Sequence, residues 1–312
     1  MDLYKAIIDI INQIPRGMLT SYTQLAEALG DQTVARAIRR VIRDEISWGE
    51  APCHRVIEDQ GFIGEDESEK RVRLLKNEGL RIDNSRIRDF ERVMFREFNS
   101  TKPLQRLRAK QKQLAGKAKL VNSFTEVRTV GGVDVAYKNK EGYGAVATFD
   151  YKTRELIEVK KAKTQVKFPY LPTYLTFREF PLIKKLVSKL KELPTILLID
   201  GNGILHPYRA GLATHAGVVL NLPTIGVAKS LLCGKIEKIP SRIGEHPAIR
   251  MAGNVIGYAL KISKGKPVFI SPGSNICFDT ALNVVKNLAA ESRLPLPLMA
   301  AHQNAGNFRR QN

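Results

Sequence analysis

Thr195-Ile196-Leu197-Leu198-Ile199-Asp200-Gly201-Asn202-Gly203 is the stretch that decides the fold of the larger part of the chain. Its apolar run is too short for a helix and ends at a turn signal. It reads as a strand buried on both faces, the kind found inside an α/β sheet. Upstream, Thr129-Val130-Gly131-Gly132-Val133-Asp134-Val135-Ala136-Tyr137 is β-rich with a carboxylate inside it, and Gly144–Phe149 continues as the next strand. Phe177-Arg178-Glu179-Phe180 precedes a helix expected over Leu182–Leu190, whose apolar positions alternate with lysines. Strands followed by helices point to a mixed α/β sheet.

The chain has 312 residues, more than one ordinary domain needs, so two domains are expected. With 43% apolar and 26% charged residues it can bury proper cores. No apolar run approaches the roughly 18 residues that would span a bilayer. Met1–Ile10 lacks a signal peptide's charged start and unbroken apolar centre. Cys53, Cys233 and Cys277 make neither a disulfide framework nor a zinc spacing. The expectation is a cytoplasmic protein with no membrane partner.

A formal net charge of +19 implies a polyanion partner. The excess is local: residues 1–98 carry a net −2, residues 99–120 carry seven basic and no acidic side chains, and residues 121–312 carry +14. Asn99–Leu120, with Pro103 near its start, reads as a basic linker or a phosphate-facing helix. The domain boundary is placed there, leaving domains at 1–98 and 121–312.

The chain opens with an apolar helix, Leu3 to Ile14, ended by Pro15-Arg16-Gly17. In Ser21-Tyr22-Thr23-Gln24-Leu25-Ala26-Glu27-Ala28-Leu29-Gly30, Ser21 and Gln24 have capping-box spacing and Gly30 sits where a C-cap would. Thr33 is placed to cap a second helix starting at Val34. On that helix Val34, Ala37, Ile38, Val41 and Ile42 form an apolar stripe, while Arg36, Arg39, Arg40 and Arg43 share another face. Spacing alone leaves two readings open, a helix-turn-helix or a solvated basic face.

Ala51-Pro52-Cys53-His54-Arg55-Val56-Ile57 follows. Positive neighbours favour the nucleophilic thiolate, although a lone cysteine can equally be a small buried thiol. Pro-Cys-His-Arg-Val, preceded by Ser-Tyr-x-Gln-Leu-Ala and Ala-Arg-Ala-Ile, resembles the DNA-binding, active-site domain of the O6-alkylguanine-DNA alkyltransferases over roughly residues 1–90. The resemblance implies that Cys53 takes an alkyl group from guanine O6 irreversibly and without a cofactor. It implies that His54 removes the thiol proton through a water, and that Glu78 orients His54. Tyr22 would rotate the phosphate of the extruded guanine, Arg36 would occupy the vacated space, and Arg39, Arg40 and Arg55 would hold DNA. Three stretches depart from the family: Glu45 replaces an asparagine, Ile46–Gly49 replaces a proline-containing stretch, and the carboxylate-rich 64–69 replaces the usual guanine-pocket residues.

Asp134 and Asp200 sit within or at the end of apolar strands, where an unpaired carboxylate is costly. Taken singly, each can be a strand-end cap; together, a divalent cation would compensate them. Val133–Tyr137, Phe168-Pro169-Tyr170-Leu171-Pro172, Phe177-Arg178-Glu179, Asp200–Gly203, His206–Ala213 and Thr224–Lys229 in that order resemble endonuclease V from about residue 105 to 305. The resemblance implies an RNase H-like fold and Mg²⁺-dependent cleavage, with Mn²⁺ as the alternative, 3′ of deaminated bases. Hypoxanthine is the chief expected lesion, with uracil and xanthine also considered. Asp134, Glu179 and Asp200 would be the metal ligands, with His302 placed where the family often has a metal-proximal His or Asp. Lys229 would stabilise the phosphate or leaving oxygen, Tyr170 would replace the extruded base, and the Gly201–Gly211 loop with His206 would hold that base. Ser274 stands where a His is common in the family.

The expected architecture is multidomain: an N-terminal winged-helix-like helix-turn-helix domain followed by an RNase H-like mixed-sheet α/β domain. The expected function is bifunctional repair of double-stranded DNA carrying O6-alkylguanine or hypoxanthine, by a monomer. Two other readings stay open. One makes the N-terminal module a non-catalytic lesion binder; the other is a helix-turn-helix regulator with a decayed nuclease.

Overall fold

The computed structural model describes every residue except 65–68 and 291. The chain divides into two compact units, Met1–Ala109 with Lys167–Pro172, and Lys110–Val166 with Thr173–Asn312. Most of the acidic pocket stretch at 64–69 lies outside the described residues.

The first unit is mostly helical. Helix α1 (Leu3–Ile11) buries Leu3, Tyr4, Ile7, Ile10 and Ile11, the stripe that a 3.6-residue period puts on one face. Asp2 caps it through the Lys5 amide. A short strand, β1 (Thr20–Ser21), leads into α2 (Tyr22–Leu29), where Ser21 accepts from the Gln24 amide at 3.2 Å. Gln24 does not complete a capping box; its amide donates to Glu27 instead. Gly30 ends α2 at φ +98°, the left-handed geometry that favours glycine.

The next helix, α3 (Ala35–Glu45), begins after a single 3₁₀ turn at Gln32–Val34. Thr33 does not cap it. Asp31 does the capping one turn earlier, accepting from the Thr33 amide and hydroxyl at 3.0 and 2.6 Å. The Asp side chain reaches that amide two residues on, which leaves Thr33 as donor. Beyond the active-site turn come β2 (Val56–Ile57), α4 (Glu69–Asn77), a hairpin of β3 (Ile82–Asp83) and β4 (Arg86–Ile87), and α5 (Phe90–Val93). Leu19, Ile57, Ile63, Leu75, Leu80, Ile87 and Phe90 form the core beneath them. Helix α6 (Pro103–Ala115) occupies the basic stretch expected to be a linker or a helix, and the division between units falls inside it.

The second unit is built on one mixed sheet of nine strands. At its centre β5 (Thr129–Lys138), β8 (Ile196–Asp200) and β9 (Thr224–Ala228) run parallel. Strands β6 (Glu141–Asp150) and β7 (Leu156–Gln165) extend the β5 side as an antiparallel meander. On the other side β13 (Val268–Ser274), β12 (Asn254–Leu260), β11 (Ala248–Met251) and β10 (Lys235–Ile236) follow in that spatial order, each antiparallel to its neighbour.

The run at 196–199 is buried on both faces, as its composition requires. Leu197 and Ile199 join the core under α7 (Leu175–Val187) and α8 (Leu212–Leu220). Ile196 and Leu198 join the opposite core with α9 (Phe278–Asn287) and Leu298 of α10 (Leu296–Gln311). Helix α7 starts at Leu175 and passes through Pro181, seven residues before the expected start. Thr176, Leu182, Ile183 and Leu186, all buried, anchor both sides of the proline, so packing offsets the one backbone hydrogen bond it removes. Glu179 therefore sits on a helix rather than in a loop before one.

Candidate active sites

Asp134 and Asp200 come together because β5 and β8 are parallel and adjacent. Val133 pairs with Ile199, so the next residue on each strand is an acid at the same sheet level. Residues 130, 132 and 134 share one face of β5, and α10 lies against it. Gly132 makes this approach possible: a Cβ there would stand 2.2 Å from the Pro297 carbonyl carbon at the start of α10. Two turns into α10, His302 Nδ1 reaches Asp134 Oδ2 at 2.6 Å. Ligand atoms of Asp134, Asp200 and His302 all lie within 4.8 Å of one another.

Glu179 faces the same acids from α7. It is not within that tight triangle, and Tyr137 donates its hydroxyl to Glu179 Oε1 at 2.9 Å. Burial pushes the Glu179 carboxyl up to about 8, with Asp134 and Asp200 adding to the rise and the Tyr137 bond opposing it. Burial also raises Asp200, reinforced by Asp134 and opposed by the Lys229 ammonium that pairs with it. A cluster in which neighbouring carboxylates raise Glu179 and Asp200 is a donor set suited to a divalent cation, whose charge would relieve the repulsion. Asp134, Asp200 and His302, with Glu179 nearby, fit such an ion.

His206 and Tyr170 have contrasting surroundings. His206 is 3% exposed, and its Nε2 pairs with the Thr173 carbonyl at 3.1 Å while Nδ1 accepts from the Tyr208 amide at 3.2 Å. With both nitrogens engaged, it pins the 201–211 loop and does not present itself to a base. Tyr170 belongs to the first compact unit, where it is 53% exposed between buried Phe168 and Leu171. Sequence reasoning missed Tyr137 and Arg178, whose guanidinium lies 4.2 Å from the Tyr137 ring centroid. Both were inside quoted motifs, but only their packing shows that they hold Glu179 in place.

In the first unit Cys53 opens a 3₁₀ turn, Cys53–Arg55, between Pro52 and β2. The thiol is fully buried, and burial pushes it up to about 11, with Arg71 opposing and Glu50 adding to the rise. His54 Nε2 pairs with Glu78 Oε1 at 2.8 Å. Because Glu78 is ionised, Nε2 is the donor and Nδ1 remains the basic nitrogen. Burial alone would raise Glu78, but hydrogen bonds from Arg55, His54 and the Gly17 amide hold it down to about 2.

Arg55 is engaged within the protein. Its Nε and Nη2 bind Glu78 at 2.8 to 3.1 Å and its Nη1 donates to the Ile14 carbonyl at 2.8 Å. At 16% side-chain exposure it fixes the carboxylate and is not placed to hold a phosphate. Arg36 and Arg40 of α3 are exposed, and Arg39 pairs with Glu58 at 2.6 Å. Tyr22, Arg36 and Arg39 line one cavity of about 470 Å³. Glu45 is turned to the Tyr4 hydroxyl, which donates to it.

Trp48 and Arg71 went unrecognised in the sequence. The Trp48 ring lies 6.4 Å from the His54 ring, with Lys70 Nζ and Arg71 Cζ each 5.3 Å from its centroid. Arg71 is 2% exposed and donates to the Val56 carbonyl at 2.8 Å. Its spacing with Leu75 and Glu78 puts a charge inside a buried helix face, which was the available signal.

Fold and sites together define a chain with a carboxylate-centred α/β module and a thiol-centred helical module. The sequence model of the endonuclease V family matches residues 112–303, and that of the 6-O-methylguanine DNA methyltransferase DNA binding domain matches residues 2–80. A bifunctional methyltransferase/endonuclease of Picrophilus torridus is 36% identical over 100% of this chain and 98% of its own. A second, from Thermoplasma volcanium, is 34% identical over 88% of this chain and 83% of its own. The crystal structure of endonuclease V from Bacillus subtilis superposes with a TM-score of 0.64 at 32% identity, covering 68% of this chain and 94% of that one. The chain belongs to the endonuclease V family, in the fused form that carries a methyltransferase DNA-binding domain. Among the described residues no helix is long and apolar enough to cross a membrane.

Proposed function

We propose that the chain is a two-headed DNA repair protein that cuts double-stranded DNA 3′ of hypoxanthine in its second unit and accepts alkyl groups from O6-alkylguanine on Cys53 in its first. The observation that carries the reading is the convergence of Asp134 within β5, Asp200 at the end of the neighbouring parallel strand β8 and His302 on α10, with Lys229 alongside. Asp134, Asp200 and His302, with Glu179, would hold the divalent cation, Mg²⁺ or alternatively Mn²⁺. When bound it supplies Lewis-acid stabilisation of charge on the scissile phosphate. The chain's own contribution is placement. Tyr137 and Arg178 fix Glu179, the β5–β8 register fixes the two aspartates, and the Lys229 ammonium offers a point charge to the phosphate or leaving oxygen.

In the first unit, His54 Nδ1 takes the thiol proton through a water, and the Cys53 S–C bond forms as the O6–C bond breaks. Glu78, fixed by Arg55, holds His54 in the tautomer this needs. The β3–β4 hairpin is read as the wing of a winged helix, and Arg36 with Arg40 as the DNA-facing arginines of α3.

A second reading, a lesion binder without transfer, is favoured by one observation: the resting thiol is fully buried and held protonated. Incubation with duplexes carrying hypoxanthine or [methyl-³H]-O6-methylguanine separates the possibilities. The expected results are Mg²⁺-dependent cutting that Asp200→Asn reduces at least about 100-fold, and one methyl per chain on Cys53. Cutting without label would leave the binder reading standing. No cutting of the hypoxanthine strand at any divalent cation would overturn the nuclease reading.

A further inference from the structure

From the metal-ligand cluster a groove of about 580 Å³ runs along α10, with Asp134 and His302 at one end and Arg309 and Arg310 at the other. His302, Gln303, Gly306, Arg309 and Arg310 line it at positions i, i+1, i+4, i+7 and i+8, one face of the helix. The floor is open at Gly306, where an added Cβ would meet nothing within 4 Å. Residues 304–312 lie beyond the endonuclease V match, so the basic end belongs to the part of the helix that the family pattern does not cover.

The two ends differ in charge in a way that fits one ligand. The acidic end would take a phosphate only through a cation, whereas two guanidiniums take phosphate directly. Seven to eight residues of helix separate His302 from Arg309 and Arg310, about 11–12 Å at 1.5 Å per residue. That is a little over three phosphate steps of axial rise along one strand, at about 3.4 Å each. Resting on the nuclease reading, we infer that the α10 groove is a subsite for the phosphodiester backbone of the cleaved strand. Its scissile phosphate lies at the Asp134 end, and a phosphate about three positions away lies on Arg309 and Arg310.

The test uses the full chain and a fluorescent hypoxanthine duplex, with Ca²⁺ for binding by anisotropy and Mg²⁺ for cutting. The double variant Arg309→Gln/Arg310→Gln should bind about 10-fold more weakly at 100 mM salt. Its slope of log K against log salt should be shallower by about 1–2, the value expected for one or two lost phosphate contacts. Gly306→Leu should fill the groove and weaken binding at least about 5-fold. Its melting temperature should not fall, since leucine is the better helix former. Both effects should vanish on one of two substrates truncated to a single nucleotide beyond the cut, one on each side. Unchanged affinity and salt slope in the double variant, or unchanged binding by Gly306→Leu, would overturn the subsite. Failure of the wild type itself to cut would instead overturn the nuclease reading, so the two failures are distinct.

Discussion

Four donors converge on Glu78: Arg55 through Nε and Nη2, His54 through Nε2, and the Gly17 amide. Its carboxyl is held down to about 2, well below the ordinary glutamate value of 4.5. A depressed carboxylate stabilises the fold above its unfolded pKa, and that stability is lost as the pH falls toward the folded value. The first unit should therefore lose about 3 kcal/mol between pH 4.5 and 2. Urea midpoints measured across that window should fall steeply in the wild type and flatten in Glu78→Gln, and an equally steep fall in the variant would refute the assignment. Much of this residue-level picture was legible. Cys53, His54 and Glu78 stand in a recognisable motif and fall together in space. The Arg55–Glu78 pairing was not legible, because a motif records that an arginine is present, not which carboxylate it faces. Arg71 was missed because its neighbours in sequence are themselves charged, which masks its place on the buried helix face with Leu75.

Helix α10 shows what elements add. Its docking on β5 depends on Gly132, and it carries both His302 and the groove face. Gly132→Ala would place a methyl against the Pro297 carbonyl carbon. Overpacking of that kind costs about 1–3 kcal/mol and would push His302 away from Asp134. Calorimetry should show a lower melting temperature and weaker Mn²⁺ binding in this variant; unchanged Mn²⁺ affinity would mean that α10 docking does not set the site. The central strands were legible because a short apolar run ending in Asp-Gly-Asn-Gly allows few alternatives. The start of α7 was not, because Pro181 looks like a boundary until its buried neighbours on both sides are seen to hold the helix together. Thr33 lost its expected capping role for a similarly local reason: its hydroxyl and its own amide both donate to Asp31.

At the scale of the molecule, the charge is divided as the chemistry is. The first 98 residues carry a net −2, and residues 121–312 carry +14. The nuclease half thus holds most of the sequence-independent attraction to phosphate, while the alkyltransferase-like half relies on the arginines of α3. The proposed reacting groups follow the same division, with Cys53, His54 and Glu78 in one compact unit and Asp134, Glu179, Asp200, Lys229 and His302 in the other. Two chemistries that share no reacting residue should be separable by single substitutions. The most direct test is one duplex carrying both O6-methylguanine and hypoxanthine, scored for methyl on protein and for strand cutting in wild type, Cys53→Ala and Asp134→Ala. The account predicts that Cys53→Ala loses only the label and Asp134→Ala only the cut. Loss of cutting in Cys53→Ala, or of labelling in Asp134→Ala, would contradict it.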